Sequence, residues 1–119
     1  MNSAVALVDF DRLLNGLDHI YSEFSRACGL SDCAYWMLVD TSTAGGSIAV
    51  SRLTSEWFYS KQTINSSIRK LEREGTVYLR RGKGKNMHIY LTEQGREFVE
   101  NRIRPAMGME VQAFLELTP

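Results

Sequence analysis

Ser60-Lys61-Gln62-Thr63-Ile64-Asn65-Ser66-Ser67-Ile68-Arg69-Lys70-Leu71-Glu72-Arg73-Glu74-Gly75 decides how this chain is read. Ser60 offers a side-chain oxygen to the free N–H groups of a helix start, and Gly75 is the residue type that ends a helix in the left-handed conformation. On a wheel of about 100° per residue with Ile64 at zero, Ile68 and Leu71 fall within about 40° of it. Gln62, Ser66, Arg69 and Arg73 fall on the opposite side, between about 140° and 200°, and Asn65, Thr63 and Lys70 flank them. The spacing predicts a helix over 60–74 with one core face and one polar, basic face.

Working toward the C-terminus, residues 76–81 and 87–91 alternate with the period of two expected of strands, with Val77 and Leu79 on one side of the first and Ile89 and Leu91 on one side of the second. Gly82-Lys83-Gly84-Lys85-Asn86 between them is a basic hairpin tip. Thr92 caps a last helix from Glu93 whose apolar side carries Phe98, Ile103, Met107, Val111, Phe114 and Leu115. Pro105 should kink that helix, because proline removes a hydrogen bond and clashes with the preceding turn. Gly108 loosens the helix further.

Toward the N-terminus, Leu7, Phe10, Leu14, Leu17, Tyr21 and Phe24 recur at three and four residues and predict a long amphipathic helix from Val5 to about Ala27, stopped by Gly29. Ser31 caps a second helix through Tyr35, Trp36, Leu38 and Val39. Residues 41–46 break the pattern. Ser47 is then expected to cap a short helix through Ile48, Val50 and Leu53, ending in the aromatic cluster Trp57, Phe58 and Tyr59.

The charge follows the same division. Residues 60–90 hold eight basic side chains against Glu72 and Glu74, a local +6, while the flanks carry −4 and −2 and bring the chain to a formal charge of zero. A neutral whole therefore contains a polycationic segment suited to phosphate backbones. At 119 residues and 44% hydrophobic content the chain fits one domain, and a partner subunit could enlarge its core. No apolar run approaches the ~20 residues that span a bilayer, and Asp9 and Asp11 stand where a signal peptide wants basic residues, so a cytoplasmic protein is expected. Two cysteines are too few for a disulfide scaffold and fit a reducing compartment.

Helix, helix, polar-faced helix and basic two-stranded hairpin is the order of a winged helix-turn-helix. The predicted class is mainly α with a small two- or three-stranded antiparallel β-wing. A recognition helix fits the major groove, where short amides and hydroxyls reach base edges and arginine reaches guanine or phosphate. Gln62, Thr63, Asn65, Ser66 and Arg69 supply those groups. Ser60 and Lys61 at the helix start, and Lys70 and Arg73 along it, are the further candidates on this element. Arg80 and Arg81 at the base of the hairpin, with Lys83 and Lys85 at its tip, can hold flanking phosphates.

The run from Ser60 to Gly75, the two strands after it, and Leu91-Thr92-Glu93-Gln94-Gly95-Arg96 resemble the multiple antibiotic resistance regulator (MarR) family of bacterial transcription factors. The resemblance extends over about residues 5 to 117 and is most specific over 60–96. It implies a homodimer in which 1–119 form a single winged helix-turn-helix domain. Residues 5–28 and 93–117 would be its dimerisation helices and 47–91 its DNA-binding region, with recognition helix 60–74 and wing 76–91. Double-stranded DNA, a second copy and a small aromatic effector are the implied partners, and a repressor is the expected role. Family wings often carry an Asp-Arg pair where this chain has Gly82-Lys83-Gly84-Lys85, which favours phosphate contact by lysine over minor-groove reading by arginine. Thr118-Pro119 stand where a Thr-Pro pair would start the family's final dimerisation helix, so the chain either dimerises with less or is a shortened form.

Other candidates are weaker. Tyr21, Phe24, Tyr35, Trp36 and Trp57 could line an effector cleft between the dimerising and DNA-binding regions, although aromatics at helical spacing usually fill interiors. Cys28 and Cys33 could sense oxidants, although a free cysteine is more often a small buried hydrophobe. His19 and His88 stand in no zinc-like spacing with the cysteines, and no cofactor or metal is expected. Asp9 and Asp11 have no partner base, so catalysis is not expected. A winged-helix protein–protein module with a basic docking face is the alternative from another class, and a cysteine-based redox regulator is the alternative within this one.

Overall fold

The structure is a computed structural model describing residues 3–57, 59–82 and 86–117. In chain order it contains α1 (Ser3–Ala27), α2 (Asp32–Thr43), β1 (Ser47–Ala49), α3 (Val50–Glu56), α4 (Lys61–Arg73), β2 (Val77–Arg81), β3 (Met87–Leu91) and α5 (Glu93–Phe98). A π-helical turn, Val99–Ile103, joins α5 to α6 (Arg104–Leu117). This is the mainly helical winged architecture expected, with a three-stranded sheet ordered β1-β3-β2.

The helix boundaries follow the capping chemistry. Ser31 accepts from the Ala34 N–H, Ser60 from the Thr63 N–H and Thr92 from the Gly95 N–H, so each satisfies an orphan donor of the helix it opens. At the far end of α4, Gly75 adopts φ +77° while its N–H donates to Glu72 O and the Thr76 N–H reaches back to Leu71 O. This paired closure requires a left-handed residue, and Gly29 closes α1 in the same way.

One expectation fails between α2 and α3. Ser47 does not cap a helix; Ser47–Ala49 form β1, and the N-cap of α3 is Ala49, which makes no side-chain cap bond. The physical reason is the open edge of β3. β1 pairs antiparallel with it, Ser47 opposite Tyr90 and Ile48 opposite Ile89, which satisfies the backbone of both strands and buries Ile48.

The sheet has two unlike faces. Val77, Ile48, Ile89 and Leu91 are buried against the helices, while Tyr78 and Tyr90, directly paired across β2 and β3, stack on the outer face with centroids 5.2 Å apart. The core behind the inner face is built from Tyr35 and Leu38 of α2, Leu53 of α3, Ile64, Ile68 and Leu71 of α4, and Ile103. Asp40 pins α3 to α2: its Oδ2 accepts from Trp57 Nε1 at 3.1 Å, and its Oδ1 lies 3.9 Å from the Arg52 guanidinium.

The last helix departs from the expected kink in kind. The Arg104 N–H donates to Val99 O five residues back, so the irregularity is a π-helical turn just ahead of Pro105. Proline at 105 cannot donate and its ring crowds the carbonyl four residues earlier, and the wider turn relieves that crowding while Val99 and Ile103 both stay buried. Arg102 ties this turn to the end of α1 by donating to Ala27 O at 2.7 Å.

The two ends of the chain pack on each other and leave apolar surface uncovered. Along α1, Leu7, Phe10 and Leu14 are 60%, 56% and 42% exposed, and on α6 Val111 and Leu115 are 58% and 59% exposed. The side chain of Phe114, expected on the same face, lies outside the described set.

Candidate nucleic-acid interface and aromatic cleft

The division of α4 into two faces is realised residue by residue. Ile64, Ile68 and Leu71 are buried, together with Ser67, while Lys61, Gln62, Thr63, Ser66, Arg69, Lys70 and Arg73 are exposed. Ser60 and Thr63 have a local task as well. Their hydroxyls lie 2.8 Å apart and the Thr63 N–H donates to Ser60 Oγ at 3.1 Å, so both oxygens are committed to the helix start. Gln62, Ser66 and Arg69, with Lys61, Lys70 and Arg73, are thus exposed groups of this helix left to meet another molecule.

Asn65 is half-buried and turned toward the wing. With Arg69 it borders a shallow groove of about 210 Å³ whose apolar floor is Val50, Ile68, Leu79 and Met87. The groove places the basic edge of α4 directly beside the sheet.

The arginine pair at the base of the wing is divided by strand alternation. Arg81 falls on the side of Val77 and Leu79, toward α4, whereas Arg80 falls on the side of Tyr78 and sets its guanidinium 5.4 Å from that ring centroid. The two residues therefore point to different surfaces, which their adjacency in sequence conceals. Lys83 and Lys85 lie outside the described residues.

Behind α4, a cleft of about 640 Å³ opens between α1, α2 and the turn from α3 to α4. Asp18, Tyr21 and Ser22 come from α1, Asp32 and Trp36 from α2, and Trp57 and Tyr59 from the turn. Trp36 is its central wall: Tyr21 meets it edge to face at 4.7 Å and 89°, and Trp57 lies 5.4 Å away at 31°. Ser22 donates to Asp32 Oδ2 at 3.1 Å and closes one end.

Of the five aromatics expected here, Tyr21, Trp36 and Trp57 line the cleft. Tyr35 is fully buried and Phe24 packs against the core, so neither does, because both lie on the sides of their helices that meet the interior. Tyr59 belongs to the cleft, and its place in the aromatic run after Trp57 was the available signal. Asp18 and Asp32 had no such signal; only the folded positions of α1 and α2 bring them together.

Both cysteines are buried. Burial pushes the Cys28 thiol up, opposed by the Arg102 guanidinium, and pushes the Cys33 thiol up, opposed by a hydrogen bond with Ser67. Reactive sensor cysteines have the opposite character, an accessible and stabilised thiolate. Among the described residues no group of three His, Cys, Asp or Glu side chains could hold a metal ion, and no helix is long and apolar enough to cross a membrane.

No protein-family model and no curated protein matches the sequence. Solved structures do match. AbsC, a MarR family transcriptional regulator from Streptomyces coelicolor, aligns with all of this chain and 84% of its own at TM-score 0.81 and 20% identity. A second MarR family regulator from Streptomyces coelicolor, solved in complex with DNA, aligns with all of this chain and 82% of its own at TM-score 0.77 and 20% identity. An organohalide-sensing transcriptional regulator in its 2,4-dichlorophenol-bound form aligns with 98% of this chain and 69% of its own at TM-score 0.69 and 11% identity. The chain has the winged-helix fold of the MarR family transcriptional regulators.

Proposed function

We propose that this protein is a sequence-specific DNA-binding transcriptional regulator that acts as a homodimer, represses from a pseudo-palindromic operator, and is released by a small aromatic ligand. The observation that carries the reading is the exposed polar face of α4, where Gln62, Ser66 and Arg69 stand opposite a buried face and Arg69 borders the groove against Leu79 and Met87 of the wing. Such a helix presents hydrogen-bonding groups to base edges, while arginine and lysine on either side hold phosphates. A similar fold bound to DNA in the Streptomyces coelicolor structure supports this use of the surface.

Dimerisation is supported by the uncovered apolar residues of α1 and α6. Leu7, Phe10 and Leu14 recur at three and four residues and Val111 and Leu115 at four, so each set forms a stripe on its helix. Apolar patches of this kind mark association surfaces. Two copies joined there would carry two recognition helices, which suits half-sites about one helical turn apart.

Effector control is supported by the position of the cleft. Trp57 and Tyr59 line it, and Ser60, the N-cap of α4, follows directly. A ligand seated between α1, α2 and this turn would act on the segment that sets the start of the recognition helix.

Selection of bound sequences from a random DNA pool with purified protein, followed by titration against salt, tests the reading. It should return a palindromic consensus and an affinity that falls steeply with salt. No binding to any sequence at low salt would remove the DNA-binding function and leave a protein-docking module.

A further inference from the structure

The walls of the cleft carry more chemical information than its aromatic content. Its titratable side chains other than tyrosine are Asp18 and Asp32, and among the described residues no Lys or Arg lines it. We propose that the cleft binds an organic cation, an ammonium or aromatic amine carrying an apolar body, rather than an aromatic acid. This rests on the reading of the cleft as an effector site and adds the ligand class.

Three features converge. Tyr21, Trp36 and Trp57 are set at steep and shallow angles to one another, so the cleft offers both ring edges and ring faces. A ring face carries negative potential and attracts a cation placed over it, most strongly for tryptophan. The two carboxylates come from different helices, Asp18 from the exposed side of α1 and Asp32 from the first turn of α2, and flank the same opening. Their fields reach the cleft wall: the Tyr59 hydroxyl is pushed up first by burial, then by its neighbour Cys33 and by the negative charges of Asp32 and Asp18. A carboxylate ligand would meet repulsion from these groups without a basic side chain to receive it, whereas an ammonium group would meet rings and carboxylates together.

Isothermal titration calorimetry on the full chain without DNA tests this with phenyltrimethylammonium, its uncharged isostere tert-butylbenzene, and the planar anion benzoate. Phenyltrimethylammonium should bind at least about tenfold more tightly than benzoate, the order of difference that a cation–π contact with a nearby carboxylate supplies. Asp18→Asn and Asp32→Asn should each weaken its binding several-fold and leave tert-butylbenzene unchanged. Asp18 is exposed, so its variant keeps the comparison meaningful if Asp32→Asn disturbs the start of α2. Benzoate binding as tightly as the cation, cation affinity unchanged in Asp18→Asn, or no heat from any probe would overturn the proposal. DNA affinity is measured separately by fluorescence anisotropy with a labelled site. Cation binding that leaves DNA affinity unaltered removes effector control and keeps the ligand class, while loss of DNA binding altogether leaves the calorimetry intact.

Discussion

Gly95→Ala should destabilise the protein, although residue 95 lies inside α5, where alanine is ordinarily the better helix former by about 1 kcal/mol. A methyl group at 95 would overlap the Thr76 carbonyl oxygen, a backbone atom that no rotamer change can move. That oxygen is already engaged by Thr92, whose N–H donates to it at 3.1 Å and whose hydroxyl shares its proton between Thr76 O at 3.1 Å and Gly75 O at 2.6 Å. The same hydroxyl accepts from the Gly95 N–H at 2.9 Å. Making room for the methyl group therefore moves the start of β2 away from α5 and strains this set of bonds. Overpacking of a tight site costs about 1–3 kcal/mol, and each weakened hydrogen bond adds about 1 kcal/mol. With one such bond weakened and the gain of about 1 kcal/mol in propensity set against it, the net loss is about 1–3 kcal/mol, or about 4–12 °C in Tm for a chain of this length. Urea denaturation followed by far-ultraviolet circular dichroism reads it directly. A variant as stable as the parent would refute the steric account and show that the wing can shift from α5 at no cost.

The association surface gives a second test. Phe10 is 56% exposed, and an aromatic side chain of about 200 Å² then leaves about 110 Å² uncovered, worth about 3 kcal/mol per copy if buried. Phe10→Ala should raise the dimer Kd at least about 100-fold in sedimentation equilibrium, and an unchanged Kd would move the interface elsewhere. Arg69→Ala should cost about 1–3 kcal/mol on the selected site and much less on random DNA, and equal losses on both would remove its base-reading role. Arg81→Ala should lower affinity for all sequences and reduce the salt slope by about 1, with a smaller effect from Arg80→Ala on the opposite face of the wing. Because burial raises both thiols, the folded state holds their protons longer than the unfolded chain. The resulting stability is fully present below the ordinary thiol value of about 8.5 and is lost as pH rises through the folded values. Urea midpoints should therefore fall as pH rises above about 8.5, and replacing Cys28 and Cys33 with alanine should flatten that fall.

Features written in local chemistry were legible in the sequence. Ser31, Ser60 and Thr92 announced their helices, Gly29 and Gly75 ended theirs, and the opposed faces of α4 followed from spacing alone. β1 was not legible, because three residues are too few to show a period and Ile48 is placed only by its partner Ile89. The π-helical turn was half legible: Pro105 marked the position, while the form of the irregularity depends on keeping Val99 and Ile103 both buried. In the candidate site, the exposed residues of α4 could be listed from the wheel, but the commitment of Thr63 to Ser60 and the parting of Arg80 from Arg81 could not. The carboxylates of the cleft were hidden for the same reason, since Asp18 and Asp32 meet only when two helices separated in sequence pack together.

The pairing of Trp36 with Trp57 has an optical consequence. They are the two tryptophans of the chain, and their rings lie 5.4 Å apart, so the whole indole emission of the protein originates at one spot. Two chromophores at that separation and at 31° couple, and their near-ultraviolet circular dichroism should report their mutual angle as well as their surroundings. Emission changes will register motion of the turn before α4 and be nearly silent to events at the wing. A fluorescence record of the wing needs a third tryptophan, for which the exposed, aromatic position of Tyr78 is the conservative place.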